Sequence, residues 1–141
     1  MPPAKISFNY RIVFREAFPA PIIPVEIVGP SGRKSLDVLV DSGAAWSIFP
    51  VSAAEEVGIV AAAAPKVSVI YGGGEVEGRM VRYPLIIGGH RIDSAIMVFV
   101  EKLVYPYGLM GRNNVFGQFR EVAFLQRLPR PRVEFRFEGE K

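Results

Sequence analysis

The amino-acid sequence predicts a mainly β fold. Three observations carry that expectation. The 14 glycines and 12 prolines cut the chain into short apolar runs, which implies many turns. Half the residues are apolar and 11% are aromatic, enough to build a core and too many for a disordered chain. Near the end, Val133-Glu134-Phe135-Arg136-Phe137 alternates cleanly, the period of a strand with one buried face.

The elements follow in order. Ile6 to Phe14 alternates loosely and reads as a strand, broken by Phe18-Pro19-Ala20-Pro21. Ile22 to Val28 resumes extended structure. Gly29-Pro30-Ser31-Gly32 is a turn by composition, and with Leu36 to Val40 it predicts a β-hairpin. Pro50 stops the next run. Ser52-Ala53-Ala54-Glu55 has the spacing of a capping box, so a short helix is expected over Ala53 to Val57, closed by Gly58. Lys66 to Ile70 and Val76 to Ile87 read as strands around Gly72-Gly73-Gly74, and Gly88-Gly89 turns the chain into a strand from Arg91 to Val100. Asn113 to Phe119 fits one or two helical turns. Glu121 to Gln126 and Val133 to Phe137 are strands flanking Leu128-Pro129-Arg130-Pro131.

At 141 residues a single domain over 1–141 is the expectation. The net charge of +3 is modest, and the arginines of the tail alternate with Glu134 and Glu138, which reads as a solvated strand face. No nucleic-acid partner is expected. With no cysteine there is no disulfide and no thiolate metal site. Met1 to Ser7 has no apolar core of a signal peptide, and no run approaches the ~18 apolar residues of a membrane span. A soluble, cytoplasmic protein with no membrane partner is the simplest expectation. His90 is the only histidine and sits beside Gly88-Gly89, as a surface turn residue.

Asp41-Ser42-Gly43 is the feature with chemical content. Strand interiors reject aspartate, and an ionised carboxylate in an apolar setting is costly unless paired. Yet Asp41 closes the apolar run Leu36-Asp37-Val38-Leu39-Val40 and precedes Ala44-Ala45-Trp46-Ser47-Ile48. Two carboxylates that share a proton can activate a water between them. Of the three aspartates, Asp37, Asp41 and Asp93, only Asp41 begins such a triplet, so that chemistry would need a second copy of the chain. The bland alternative is an Asx-turn, common in Asp-Ser-Gly.

Three segments together resemble the retropepsin-like aspartic proteases. Val40-Asp41-Ser42-Gly43-Ala44 is similar to that family's catalytic loop, and Ser47-Ile48-Phe49-Pro50 with the helix to Gly58-Ile59 is similar to its continuation. Tyr71-Gly72-Gly73-Gly74 lies where the family has its flap hairpin. Leu109-Met110-Gly111-Arg112-Asn113 resembles the motif that backs the catalytic loop. The retroviral members carry a second aspartate where this chain has Ala45, which leaves Arg112 without its family partner.

The resemblance implies a closed, β-barrel-like acid protease fold with one or two short helices, and an aspartic endopeptidase that works as a homodimer without metal or other cofactor. It implies catalytic roles for Asp41, Ser42 and Gly43. Asp41 would be half of the dyad, Ser42 would bond across the dimer axis, and Gly43 would bring backbone N–H close to the carboxylates. Ala44, Tyr71, Gly72, Gly73 and Gly74 would bind a peptide or an unfolded protein in extended form, with the three glycines as a flap tip. A plain hairpin loop is the alternative for the glycines, because Glu75 and Glu77 and the lack of a following Lys-Ser/Thr exclude a phosphate loop. Trp46 is either core or pocket wall. The competing reading of the whole is a catalytically silent domain of the same fold, used for dimerisation or for binding extended peptides.

Overall fold

The structure is a computed structural model that describes residues 5–12 and 18–137. Its architecture starts from one hairpin. Strands β2 (Ile22–Gly29) and β3 (Gly32–Val40) pair antiparallel, with Gly29 opposite Gly32, so Pro30 and Ser31 form the whole turn. Ile23, Val25 and Ile27 alternate along β2 and are all buried, which sets the inner face of a barrel.

The chain continues through β4 (Ser47–Pro50), α1 (Val51–Glu56), β5 (Lys66–Tyr71), β6 (Gly74–Ile87), β7 (His90–Val100) and β8 (Gly108–Met110). The order β2-β3-β8-β4-β7-β6 closes on itself, because β6 also pairs with β2 through Val25↔Ile87, Glu26↔Ile86 and Ile27↔Leu85. The result is a closed β-barrel. β8 runs parallel to β3 and β4 parallel to β7. Among the described residues β5 pairs only with β6, and it lies outside the ring.

Val38, Phe49, Leu85, Ile87, Met97 and Phe99 are fully buried inside the barrel. Each such side chain contributes about 1.5–3 kcal/mol by leaving water. A second, smaller cluster joins Ile48, Val69, Tyr71, Val98, Val100 and Leu109 on the other side of β4 and β7. No helix among the described residues is long and apolar enough to cross a membrane.

A separate sheet joins the two ends of the chain. β1 (Lys5–Asn9), β9 (Glu121–Leu125) and β10 (Arg132–Arg136) pair antiparallel in the order β1-β10-β9. Val133 and Phe135 point into the barrel core, and Phe8 meets Phe135 edge to face at 6.1 Å.

Several expectations need correction. The first strand ends at Asn9. Arg11 makes only an isolated bridge to Ala20, and the expected end at Phe14 lies outside the described residues. The helix starts at Val51, and Ser52 does not cap it. Pro50 takes the cap position in an extended conformation straight out of β4, so Ser52 is already inside the first turn. Gly58 does end this turn, at φ +78°. The Asn113–Phe119 stretch is helical only as a 3₁₀ turn at Phe116–Gln118. His90 is not a surface residue but half-buried, its ring 4.8 Å from Phe137 and 5.7 Å from Phe119.

Glu134 is not on a solvated face either. It is 1% exposed on the central strand of the terminal sheet. Lys5 on β1 and Arg132 and Arg136 on β10 all turn to it, at 3.2, 2.7 and 2.8 Å. Hydrogen bonds from Arg136, then Arg132, hold its carboxyl near a pKa of about 2 against an ordinary 4.5, while burial alone would raise it. A depressed carboxylate stabilises the fold above its unfolded pKa, and that stability is lost as pH falls from about 4.5 toward about 2. Glu134→Gln is therefore expected to lower unfolding free energy by about 2 kcal/mol at neutral pH, less than a fully dry ion pair because the cations remain partly exposed. Urea melts at several pH values check this, with the gap between variant and parent closing below pH 4.5. A gap independent of pH would mean that charge is not the cause.

Candidate active site

Asp41 follows β3 directly. Its backbone N–H donates to the Met110 carbonyl at 3.0 Å, which ties it to the end of β8. Its Oδ1 accepts the Gly43 N–H at 2.9 Å, and its carbonyl accepts the Ala44 N–H at 3.1 Å. The Asx-turn geometry is thus present, and it uses one carboxylate oxygen. The other oxygen makes no hydrogen bond among the described residues. Asp41 is half-buried, and Ser42 and Gly43 are exposed. A Cβ on Gly43 would lie 3.2 Å from Asp41 Oδ1, so glycine there allows the N–H to come this near.

The loop is held from behind by the segment after β8. The Arg112 N–H donates to the Ala44 carbonyl at 3.0 Å, and the Asn113 N–H to the Ala45 carbonyl at 2.9 Å. The Gly111 N–H donates to Ser47 Oγ at 3.1 Å in a fully buried setting. A Cβ on Gly111 would stand 2.4 Å from the Trp46 carbonyl oxygen and 2.8 Å from that of Ala44. Only glycine permits two backbones to meet this closely. Arg112 contributes through its backbone. Its side chain is exposed and forms no ion pair among the described residues, in keeping with Ala45 in place of a carboxylate.

The glycine-rich hairpin is a two-residue turn. Gly72 and Gly73 have φ of +63° and +83°, the signs of a type I′ turn, and Tyr71 pairs with Gly74 across it. Between this hairpin and the Asp41 loop lies a cleft of about 400 Å³. Gly43 to Trp46 form one wall, and Ser68, Val69 and Ile70 of β5 form the other. Ala44 lines the cleft, whereas Tyr71, Gly72, Gly73 and Gly74 lie beyond its edge, at the end of the same hairpin. A depression of about 430 Å³ between α1 and β6 contains no residue of the Asp41 loop, so size alone does not locate the chemistry.

Ser47 escaped the reading of the sequence. Its signal would be a small hydroxyl residue in an otherwise apolar run, which single sequences rarely distinguish from a turn. Ser68 and Ile70 were read as plain strand, although an exposed isoleucine beside a glycine turn is a usable hint. Trp46, undecided from sequence, is both: half-buried, it packs on the Ile48–Val69–Leu109 cluster and lines the cleft. No cluster of three or more metal-ligating side chains occurs among the described residues.

A family model described as aspartyl protease matches residues 23–114, a span that contains the Asp41 loop, the glycine hairpin and the 109–113 segment. No curated protein matches the chain significantly. Among solved structures, the fold is similar to the crystal structure of a retropepsin-like aspartic protease from Rickettsia conorii. The TM-score is 0.64 over 96% of this chain and 93% of that one, at 12% sequence identity. At that identity the likeness speaks for the fold.

The close contact behind the loop generates a stability prediction. Gly111→Ala is expected to cost about 2–4 kcal/mol, because the added methyl meets carbonyl oxygens rather than a movable side chain. Ser47→Ala, which leaves the Gly111 N–H without its buried acceptor, should cost about 1–3 kcal/mol. Chemical denaturation measures both. A Gly111→Ala variant as stable as its parent would show that the two backbones are not in contact.

Proposed function

The chain belongs to the aspartyl protease family, and from that premise we propose that it is an aspartic endopeptidase assembled as a homodimer around two Asp41 side chains. The observation that carries this reading is the Asp41 carboxylate itself. One oxygen is fixed by the Gly43 N–H, the other makes no hydrogen bond among the described residues, and the loop borders a cleft.

The other aspartates are committed elsewhere. Asp37 pairs with Arg11, and Asp93, 89% exposed on β7, pairs with Arg91 at 3.1 Å. The second carboxyl of a dyad therefore comes from Asp41 of the partner subunit, on a two-fold axis. Within such a pair one carboxyl keeps its proton, since two like charges in contact cannot both ionise. The ionised carboxylate takes a proton from water, whose oxygen attacks the scissile carbonyl carbon. The protonated carboxyl gives its proton to the carbonyl oxygen. Collapse of the tetrahedral adduct breaks the C–N bond: the amine leaves with the proton first taken from water, and one adduct hydroxyl returns its proton to the other carboxylate, which restores the shared-proton dyad. No covalent intermediate is required.

β5 supports the binding half of the reading. Among the described residues it pairs with β6 on one side only, so its other edge offers backbone donors and acceptors to an added strand. An extended peptide laid along that edge lies beside the cleft wall at Ser68 and Ile70.

Asp41→Asn is expected to lower cleavage of an unfolded protein such as casein by at least ~10³-fold with the fold retained, because both dyad carboxyls are lost together. The parent should show a bell-shaped pH dependence on the acidic side of neutral. Sedimentation should give a dimer, and a crystal structure should place the two Asp41 carboxyls about 3–4 Å apart. A folded dimer without cleavage at any pH would assign the chain instead to the silent, peptide-binding use of this fold.

A further inference from the structure

The glycine hairpin is held at its far end by something other than β6. Tyr71, the residue before the turn, is 3% exposed although Gly72 and Gly73 beside it are open to solvent. Its hydroxyl accepts the Val104 N–H at 2.9 Å, a bond between residues 33 positions apart. Its ring meets Tyr105 edge on at 6.0 Å, and Tyr105 stacks on Tyr107 at 5.6 Å and 9°. Gly72 completes the fit, since a Cβ there would come within 2.7 Å of the Val104 side chain.

We propose that Tyr71 is a positioning residue, whose hydroxyl locks the β5–β6 hairpin onto the 101–107 loop and thereby sets the width of the cleft. The reasoning is one of strand geometry. Side chains on β5 alternate, with Val69 and Tyr71 buried in the smaller cluster and Ile70 87% exposed between them. Fixing Tyr71 inward therefore holds Val69, two positions back on the same face, in the cluster that Trp46 packs against, and leaves Ser68 and Ile70 at the rim of the cleft. A two-stranded ribbon that leaves a barrel is weakly held by its own ladder alone. The Val104 N–H has a side chain rather than a backbone carbonyl as its acceptor, so the loop has no ladder of its own at this point. The bond joins two segments that would otherwise move separately.

The structural part of this proposal stands without catalysis, and only its kinetic consequence rests on the peptidase reading. Tyr71→Phe keeps the ring and deletes the acceptor. Exchange of the Val104 amide should then rise about 3- to 10-fold, the size expected for one hydrogen bond. Trp46 is the only tryptophan and lines the cleft, so its fluorescence reports the hairpin's position. Its quenching by acrylamide should increase and its emission shift to the red. Val104→Pro removes the donor instead and should give the same Trp46 change, and the double variant should add nothing further. In cleavage assays KM should rise several-fold with kcat changed less than twofold.

Unchanged Val104 exchange in folded Tyr71→Phe overturns the proposal. Faster exchange with unchanged Trp46 quenching leaves a hydrogen bond that positions nothing, and overturns it equally. If the parent cleaves no peptide, the peptidase reading fails while the exchange and fluorescence measurements still decide the role of Tyr71.

Discussion

Everything at the centre of this molecule depends on one close approach, that of Gly111 to the backbone of Ala44 and Trp46. The missing side chain lets the segment after β8 lie directly against the Asp41 loop. Three backbone donors then become available, from Gly111, Arg112 and Asn113, and find their acceptors at Ser47, Ala44 and Ala45. These bonds fix the path of the loop over four residues. β8 can run parallel to β3 only because the chain crosses there, and the parallel pairing in turn carries the Asp41 N–H to the Met110 carbonyl. The carboxylate is placed by backbone hydrogen bonds and one buried hydroxyl, that of Ser47. That makes its position insensitive to side-chain changes on the surface and very sensitive to any methyl group at position 111.

The terminal sheet answers a different requirement. β1, β9 and β10 cover one end of the barrel with Phe8, Val133 and Phe135, and their apolar faces need burial. The opposite face of β10 is also shut off from water, at Glu134. A single carboxylate surrounded by Lys5, Arg132 and Arg136 satisfies three cations on two strands, and so fixes which residues of β1 and β10 stand opposite one another. A one-residue slip would turn Glu134 toward the aromatic core and the phenylalanines outward. The ion cluster therefore selects register, a role better founded than any large net stabilisation, since desolvation offsets much of the Coulomb gain.

The parts of this fold that could be read from sequence are those with a period or a strong local signal. The 22–40 hairpin was visible because Pro30 and the flanking glycines allow little else, and the strand at 133–137 because it alternates without a break. Asp41-Ser42-Gly43 and Leu109-Met110-Gly111-Arg112-Asn113 stood out as patterns, and the structure brings them together. β4 and β8 did not stand out. They are four and three residues long, almost wholly buried, and so show no alternation. Ser52 was mistaken for a cap because capping depends on the direction in which the chain enters the helix, which the sequence does not display. His90 and Glu134 were mistaken for surface residues for a common reason. Polar residues are exposed by default, and each has a covering partner distant in sequence, Phe119 and Phe137 for His90 and Lys5 for Glu134.

The way the two ends of the chain pair bears on what a second copy contributes. β1 and β10 use their facing hydrogen-bond edges on each other, and β10 is closed on its other side by β9. The barrel closes through β2 and β6 without outside help, and no buried side-chain polar atom among the described residues lacks a partner. A single chain thus closes its own barrel and satisfies the buried side-chain polar atoms of the described residues. Among the described residues, one oxygen of the Asp41 carboxylate accepts no hydrogen bond, and the other two aspartates pair with arginines elsewhere. In the homodimer proposed above, a partner subunit would supply the second carboxyl of the dyad. On that proposal, stability of the barrel and assembly of the dyad would be separate properties of one sequence, the first set by Gly111 and Glu134 and the second by the surface around the Asp41 loop.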